Sequence, residues 1–226
     1  MNELHQVVSI IALTMGVAWA SGINLYAAIL VLGLLGASGH LVLPPGLEIL
    51  THPLVLVVAG FMYLVEFFAD KVPGVDTSWD VFHTFIRIPA AAALAAAAVG
   101  EMHPAVSLAA ALIAGGLATG VHLTKAGTRV LINASPEPFS NWTASVSEDV
   151  VVVAGLWTAL YHPWIFLFLL VIFVALMLWV LPKIWRGVRT LFEALSRLFR
   201  GQSPKPPQWP PDKTIPAPRK SLPPES

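Results

Sequence analysis

PWIFLFLLVIFVALMLWVL, residues 163–181, is an apolar run without a single charged or strongly polar side chain. A bilayer core about 30 Å thick is crossed by about 20 residues of helix, so this run reads as a membrane span. The rest of the chain agrees with it. Of 226 residues, 56% are hydrophobic and 12% charged, with a mean hydropathy of +0.73, whereas an ordinary soluble domain is about one quarter charged. Lipid is therefore the solvent for most of the chain, and nucleic acid is not among its expected partners. There is no Cys, which excludes disulfides and thiolate metal sites.

Working outward from 163–181, five further stretches of spanning length are bounded by polar or proline residues: 7–36, 53–69, 81–100, 104–132 and 145–161. The predicted fold is an all-α membrane bundle of about six transmembrane helices. The first and fourth stretches exceed a straight span, so tilt, or a break near Gly22 and Gly120, is expected. The apolar run ending in Ala18-Trp19-Ala20 imitates a signal peptide. However, the leader MNELHQ lacks Lys and Arg, and ASGINLYAA at 20–28 is echoed by ATGVHLTKA at 118–126, so the segment is expected to stay.

The net charge of zero conceals an asymmetry. Residues 1–182 hold four Lys/Arg against ten Asp/Glu, and 183–226 hold nine against three. Lys183, Arg186, Arg189, Arg197 and Arg200 directly follow the last run, which places the C-terminus in the cytoplasm; six spans then place the N-terminus there too, in a bacterial inner membrane. The outer connections, around 37–52, 101–103 and 162, contain no Lys or Arg. Three regions result: a bundle over 1–182, a basic amphipathic helix over 183–200 on the inner leaflet, and a proline-rich tail over 201–226 expected to be disordered. Anionic inner-leaflet lipids are the expected partners of the basic helix, and a homo-oligomer is an open alternative.

Set against itself at an offset of 63, the chain places Pro73-Gly-Val-Asp-Thr-Ser-Trp79 over Pro136-Glu-Pro-Phe-Ser-Asn-Trp142. Glu66 then faces Arg129, which predicts an ion pair, and Asp70 faces Asn133. The reading is a weak internal duplication, parallel rather than inverted; the 20–28 echo has a different offset, so it needs an insertion or is chance. The two Pro-to-Trp stretches, 71–80 and 133–147, read as inner loops carrying Pro73, Asp76, Trp79, Pro136, Glu137, Asn141 and Trp142.

A charge inside a span costs about 2.5 to 3.5 kcal/mol on insertion scales, so such residues face the interior, pair, or mark a path. Here they fall at helical spacing. Glu66 and Asp70 share one face, as do Asp80, His83 and Arg87, and likewise His122, Lys125 and Arg129, while Glu148 and Asp149 open the fifth span. These ten form a candidate polar centre or substrate path, with a structural ion-pair network as the alternative. Ser21 and Asn24 add polar groups near mid-membrane.

His52, His103 and His162 each precede a proline on the outer side. Converging imidazoles could bind zinc or copper, but proline is favoured at a first helical position, so no metal and no cofactor is expected. Gly115, Gly116 and the alanines of 90–98 read as close helix packing. No metalloprotease, nucleophile-elbow or phosphate-loop signature is present.

The set GINLYAA at 22–28, EFFADKVPGVDTSWD at 66–80, SPEPFSNW at 135–142 and SEDV at 147–150 resembles a family of small bacterial integral membrane proteins catalogued as a domain of unknown function, four-one-two-six. The resemblance covers about residues 5–165. It implies membrane location, and it carries over no activity and no site residues. The functional expectation is a small transporter or channel for an unknown solute or ion. The alternatives are a membrane scaffold or assembly factor, and, third, a lipid-headgroup enzyme using Glu66, His83 or Glu148.

Overall fold

The computed structural model describes residues 3–72, 74–100, 102–134 and 138–199. Its regular elements are α1 (Glu3–Ala37), a 3-10 turn (Pro45–Thr51), α2 (Pro53–Ala69), α3 (Val75–Ala98), α4 (Pro104–Asn133), α5 (Pro138–Tyr161) and α6 (Pro163–Phe199). The chain is an all-α membrane protein. Five helices are long and apolar enough to cross a bilayer, and the 3-10 turn with α2, bent by 68°, is either a broken sixth span or a re-entrant loop. α2 alone has 17 residues, about 26 Å at 1.5 Å per residue, short of the hydrocarbon thickness.

The His-Pro steps act as helix starts. Nδ1 of His52 accepts from the Leu54 amide and Nδ1 of His103 from the Ala105 amide, each at 3.2 Å, while the following proline needs no amide partner. At α3 the same task falls to Asp76, whose Oδ1 accepts from the Gly74 amide at 2.9 Å and the Thr77 amide at 2.6 Å. Gly74 turns the chain there with φ of 86°, a conformation costly for any residue with a Cβ. Trp79 and Trp142 consequently lie inside α3 and α5, and the loops expected over 71–80 and 133–147 are much shorter than the sequence suggested. Capping by Asp76 lets the helix begin before the apolar run does. Pro73, Pro136 and Glu137 lie outside the described residues.

α1 is the axis of the bundle, buried from Ala12 to Ala28 almost without interruption. Small residues let neighbours approach it. A methyl group on Gly22 would lie 2.7 Å from Cβ of Val121 and 2.9 Å from the Ala118 carbonyl, and one on Gly155 would enter the Trp19 ring. Gly120 and Gly127 make the same close approach to Met177 and Ile184 of α6. Of the small residues expected to pack, Ala91, Ala95 and Ala98 are buried. Gly116, however, has open space where a side chain would be, and Gly115 only an ordinary contact, because they face away from the tightest helix crossings.

Polarity is inverted relative to a soluble bundle. On α2 the buried residues are Ala59, Glu66 and Ala69, while Phe61, Leu64 and Phe68 are exposed. Lipid solvates those rings, and the interior holds the charges. Of the two expected breaks, α1 has one, at Asn24 (φ −145°, ψ 101°), and α4 is a single helix. α6 runs through Pro182 without ending. The chain divides into two compact units, one up to Thr190 and one from Leu191; the second is described only to Phe199, as helix with Phe192 and Leu195 exposed. The tail expected over 201–226 lies outside the described residues.

Candidate functional site

Helical spacing on three elements, and the break in a fourth, assemble the site. Glu66 and Asp70 of α2, Asp80 and Arg87 of α3, and Lys125 and Arg129 of α4 are all buried, and Glu148 of α5 is partly so. They form one network. Arg87 bonds Glu66 through a short contact and lies 3.5 Å from Asp80. Lys125 is the hub, with Nζ at 3.4 Å from Glu66, 3.1 Å from Asp70, 3.3 Å from Glu148 and 3.9 Å from Asp80. Arg129 closes the far end, 2.9 Å from Glu148 and 3.4 Å from Asp70. Glu66 thus pairs with Arg87 and Lys125, not with Arg129 as the internal alignment predicted. Alignment by offset compares depth along two helices and is blind to which faces meet.

The break in α1 belongs to this network. Leaving the helix at Asn24 frees the Ile23 carbonyl, which no lipid can satisfy; it accepts from Arg87 and from Lys125, each at 3.2 Å. Those cations also suit the carbonyl end of the first half-helix. The second half restarts on Asn24 itself, whose Oδ1 accepts from the Ala27 amide at 3.0 Å. Its Nδ2 donates to Asp149 at 3.1 Å, and Tyr63 donates to the other Asp149 oxygen at 3.0 Å.

Both histidines of the candidate set lie beside the network. Arg87 donates to Nδ1 of His122 at 3.2 Å, which leaves Nε2 as the ring donor, 3.1 Å from the Asp80 carbonyl and 2.7 Å from the Thr84 hydroxyl. His83 stacks on Trp79 and meets the Tyr26 hydroxyl at 3.2 Å. At the α2/α3 and α4/α5 turns, Asn133 donates to both oxygens of Asp76 at 2.8 and 2.9 Å and accepts from Asn141 at 2.6 Å. Arg129 in turn donates to the Asn141 carbonyl at 3.1 Å, so the turns connect to the charges. Trp142 is half-exposed and Ser21 is buried.

Sequence reasoning did not single out Tyr26, Tyr63, Thr84 or Lys71, which rests over Phe67. For Tyr63 a signal existed, since it shares the face of Glu66 and Asp70 at i, i+3 and i+7. The same signal existed for Thr84, four residues after Asp80 and three before Arg87, and none existed for Tyr26. The outer histidines stay apart from these groups, and among the described residues no set of three or more His, Cys, Asp or Glu is arranged to hold a metal.

Helices with apolar exteriors around a buried ion-pair network and a broken axial helix define a multi-pass membrane protein with a polar centre. The chain belongs to the family described as Domain of unknown function (DUF4126), which it matches over residues 11–183. No curated protein matches it, and no solved structure does.

Proposed function

We propose that this protein is a small transporter whose path runs through the polar centre, with the two halves of α1 as its moving parts. The observation that carries this reading is the break at Asn24, where the freed Ile23 carbonyl is held by two buried cations. Discontinuous helices meeting near the bilayer midplane are how transporters build ion and solute sites. A network that only locked helices together would not need a broken axis. The setting proposed is a bacterial inner membrane with both termini cytoplasmic, supported by the absence of Lys and Arg from the 37–52, 101–103 and 162 connections. Anionic lipids would then meet the basic residues from Lys183 onward. The duplication reading draws support from both Pro-to-Trp stretches leading from one helix into the next.

The alternative is a scaffold, favoured by the depth at which these side chains lie, with Glu66, Arg87 and His122 all inaccessible to solvent. Because the chain has no Cys, an introduced cysteine is its sole thiol and decides between the two. With a membrane-impermeant thiol reagent, Ser21→Cys or Thr84→Cys should label at least tenfold faster than Ala28→Cys, which sits in the apolar core. Labelling of all three at the same slow rate would reject the transporter and leave the scaffold.

A further inference from the structure

Counted by charge, the network does not close. Four carboxylates, Glu66, Asp70, Asp80 and Glu148, meet three cations, Arg87, Lys125 and Arg129. A surplus negative charge in a low-dielectric interior is expensive, and the usual relief is for one group to take up a proton. Lys125 alone is oversubscribed. An ammonium has three N–H groups, yet Nζ of Lys125 faces the Ile23 carbonyl and four carboxylates. Unpartnered atoms lie on both sides of the network: Oε2 of Glu66, Oδ1 of Asp70 and Oδ2 of Asp80 among the acceptors, and Nε of Arg87 and of Arg129 among the donors.

Asp80 is the least well held of the four. Its contacts to cations are 3.5 Å from Arg87 and 3.9 Å from Lys125, whereas Glu66, Asp70 and Glu148 each have a cation at 3.3 Å or closer. The groups around it are Glu66 and Asp70 from α2, His83, Thr84 and Arg87 from its own helix, His122, Lys125 and Arg129 from α4, Glu148 from α5 and the Ile23 carbonyl from α1. No metal ion fits in its place. A metal needs several converging oxygens, and the carboxylates here are already shared among Arg and Lys.

We infer that the polar centre is a proton-binding site, and that Asp80 carries the proton. The proton adds to the unpartnered oxygen of Asp80, giving a neutral acid that can donate, and leaves three anions against three cations. No electron moves and no other bond changes. This deepens the transporter reading, on which the release of that proton across the membrane depends, although its binding does not.

Infrared spectroscopy of the purified full-length protein tests it. At neutral pH the wild type should show the carbonyl stretch of an un-ionised carboxylic acid, shifted in heavy water. Asp80→Asn should abolish the band, and Asp80→Glu, which preserves the group should the Asn variant fail to fold, should move it. Glu48→Gln, far from the centre, should leave it unchanged. The proposal is overturned by a wild type lacking the band, or by a band that neither Asp80 substitution removes or moves. Proteoliposomes carrying a pH gradient and an internal pH dye form the second arm. A band without proton movement keeps the proton site and sinks its transport across the membrane, while thiol access without a band keeps the transporter and sinks the proton site.

Discussion

At the scale of single residues, the interior of this protein is decided by partners rather than by hydrophobicity. Glu66 has no solvent exposure and is held by Arg87 and Lys125, so removing one partner strands a buried charge. Stranding costs about 3 to 5 kcal/mol. Arg87→Gln should destabilise the detergent-solubilised protein by that order, Glu66→Gln by less because it removes the surplus carboxylate, and the double substitution should recover much of the Arg87→Gln loss in a thermal melt. The pair Glu66→Gln with Arg129→Gln provides the contrast, since those residues share no direct contact and should couple more weakly. Equal coupling in both cycles would refute the pairing described here. The same residues show what spacing can and cannot say. Intervals of three, four and seven put Asp80, His83 and Arg87 on one face, yet only packing sends Arg87 into the network and His83 toward Tyr26 and Trp79.

At the scale of elements, α1 is two helices in one. A chain of 35 residues, about 52 Å if straight, is longer than a bilayer core requires, and that excess was visible in its length. The position of the break was not. The expected place was Gly22, a residue with weak helix propensity, but the break falls at Asn24, where a side chain can cap the restarting helix and Arg87 and Lys125 can receive the freed carbonyl. Gly22 serves instead as the point where α4 approaches. Replacing Asn24 by Ala removes the cap and should lower stability by about 1 kcal/mol or more, whereas Ser keeps a capping oxygen and should recover part of it. A Ser variant no more stable than the Ala variant in thermal unfolding would show that the cap contributes nothing.

At the scale of the whole molecule, the distribution of Lys and Arg governs orientation. Lys71, Lys125 and Arg129 sit toward the end of the bundle that carries the α2/α3 and α4/α5 turns, and the basic residues after Leu181 follow the sixth span. Both termini are therefore expected in the cytoplasm. A reporter active only in the cytoplasm should report from the C-terminus, while one active only in the periplasm should stay silent there. The reverse pattern would invert the bundle and place the polar turns outside.

The sequence by itself determined the solvent, five of the spans and most of the members of the polar centre. Each follows from local properties: apolar length fixes a span, and charge at helical spacing fixes a face. Only the tertiary structure decided the pairing of Glu66 with Arg87, the break at Asn24 and the part played by the Ile23 carbonyl. Those features depend on which faces of distant helices meet. Side-chain periodicity records where a residue points on its own helix, and only packing through the glycines at 22, 120, 127 and 155 brings one helix close enough to another to choose its partner.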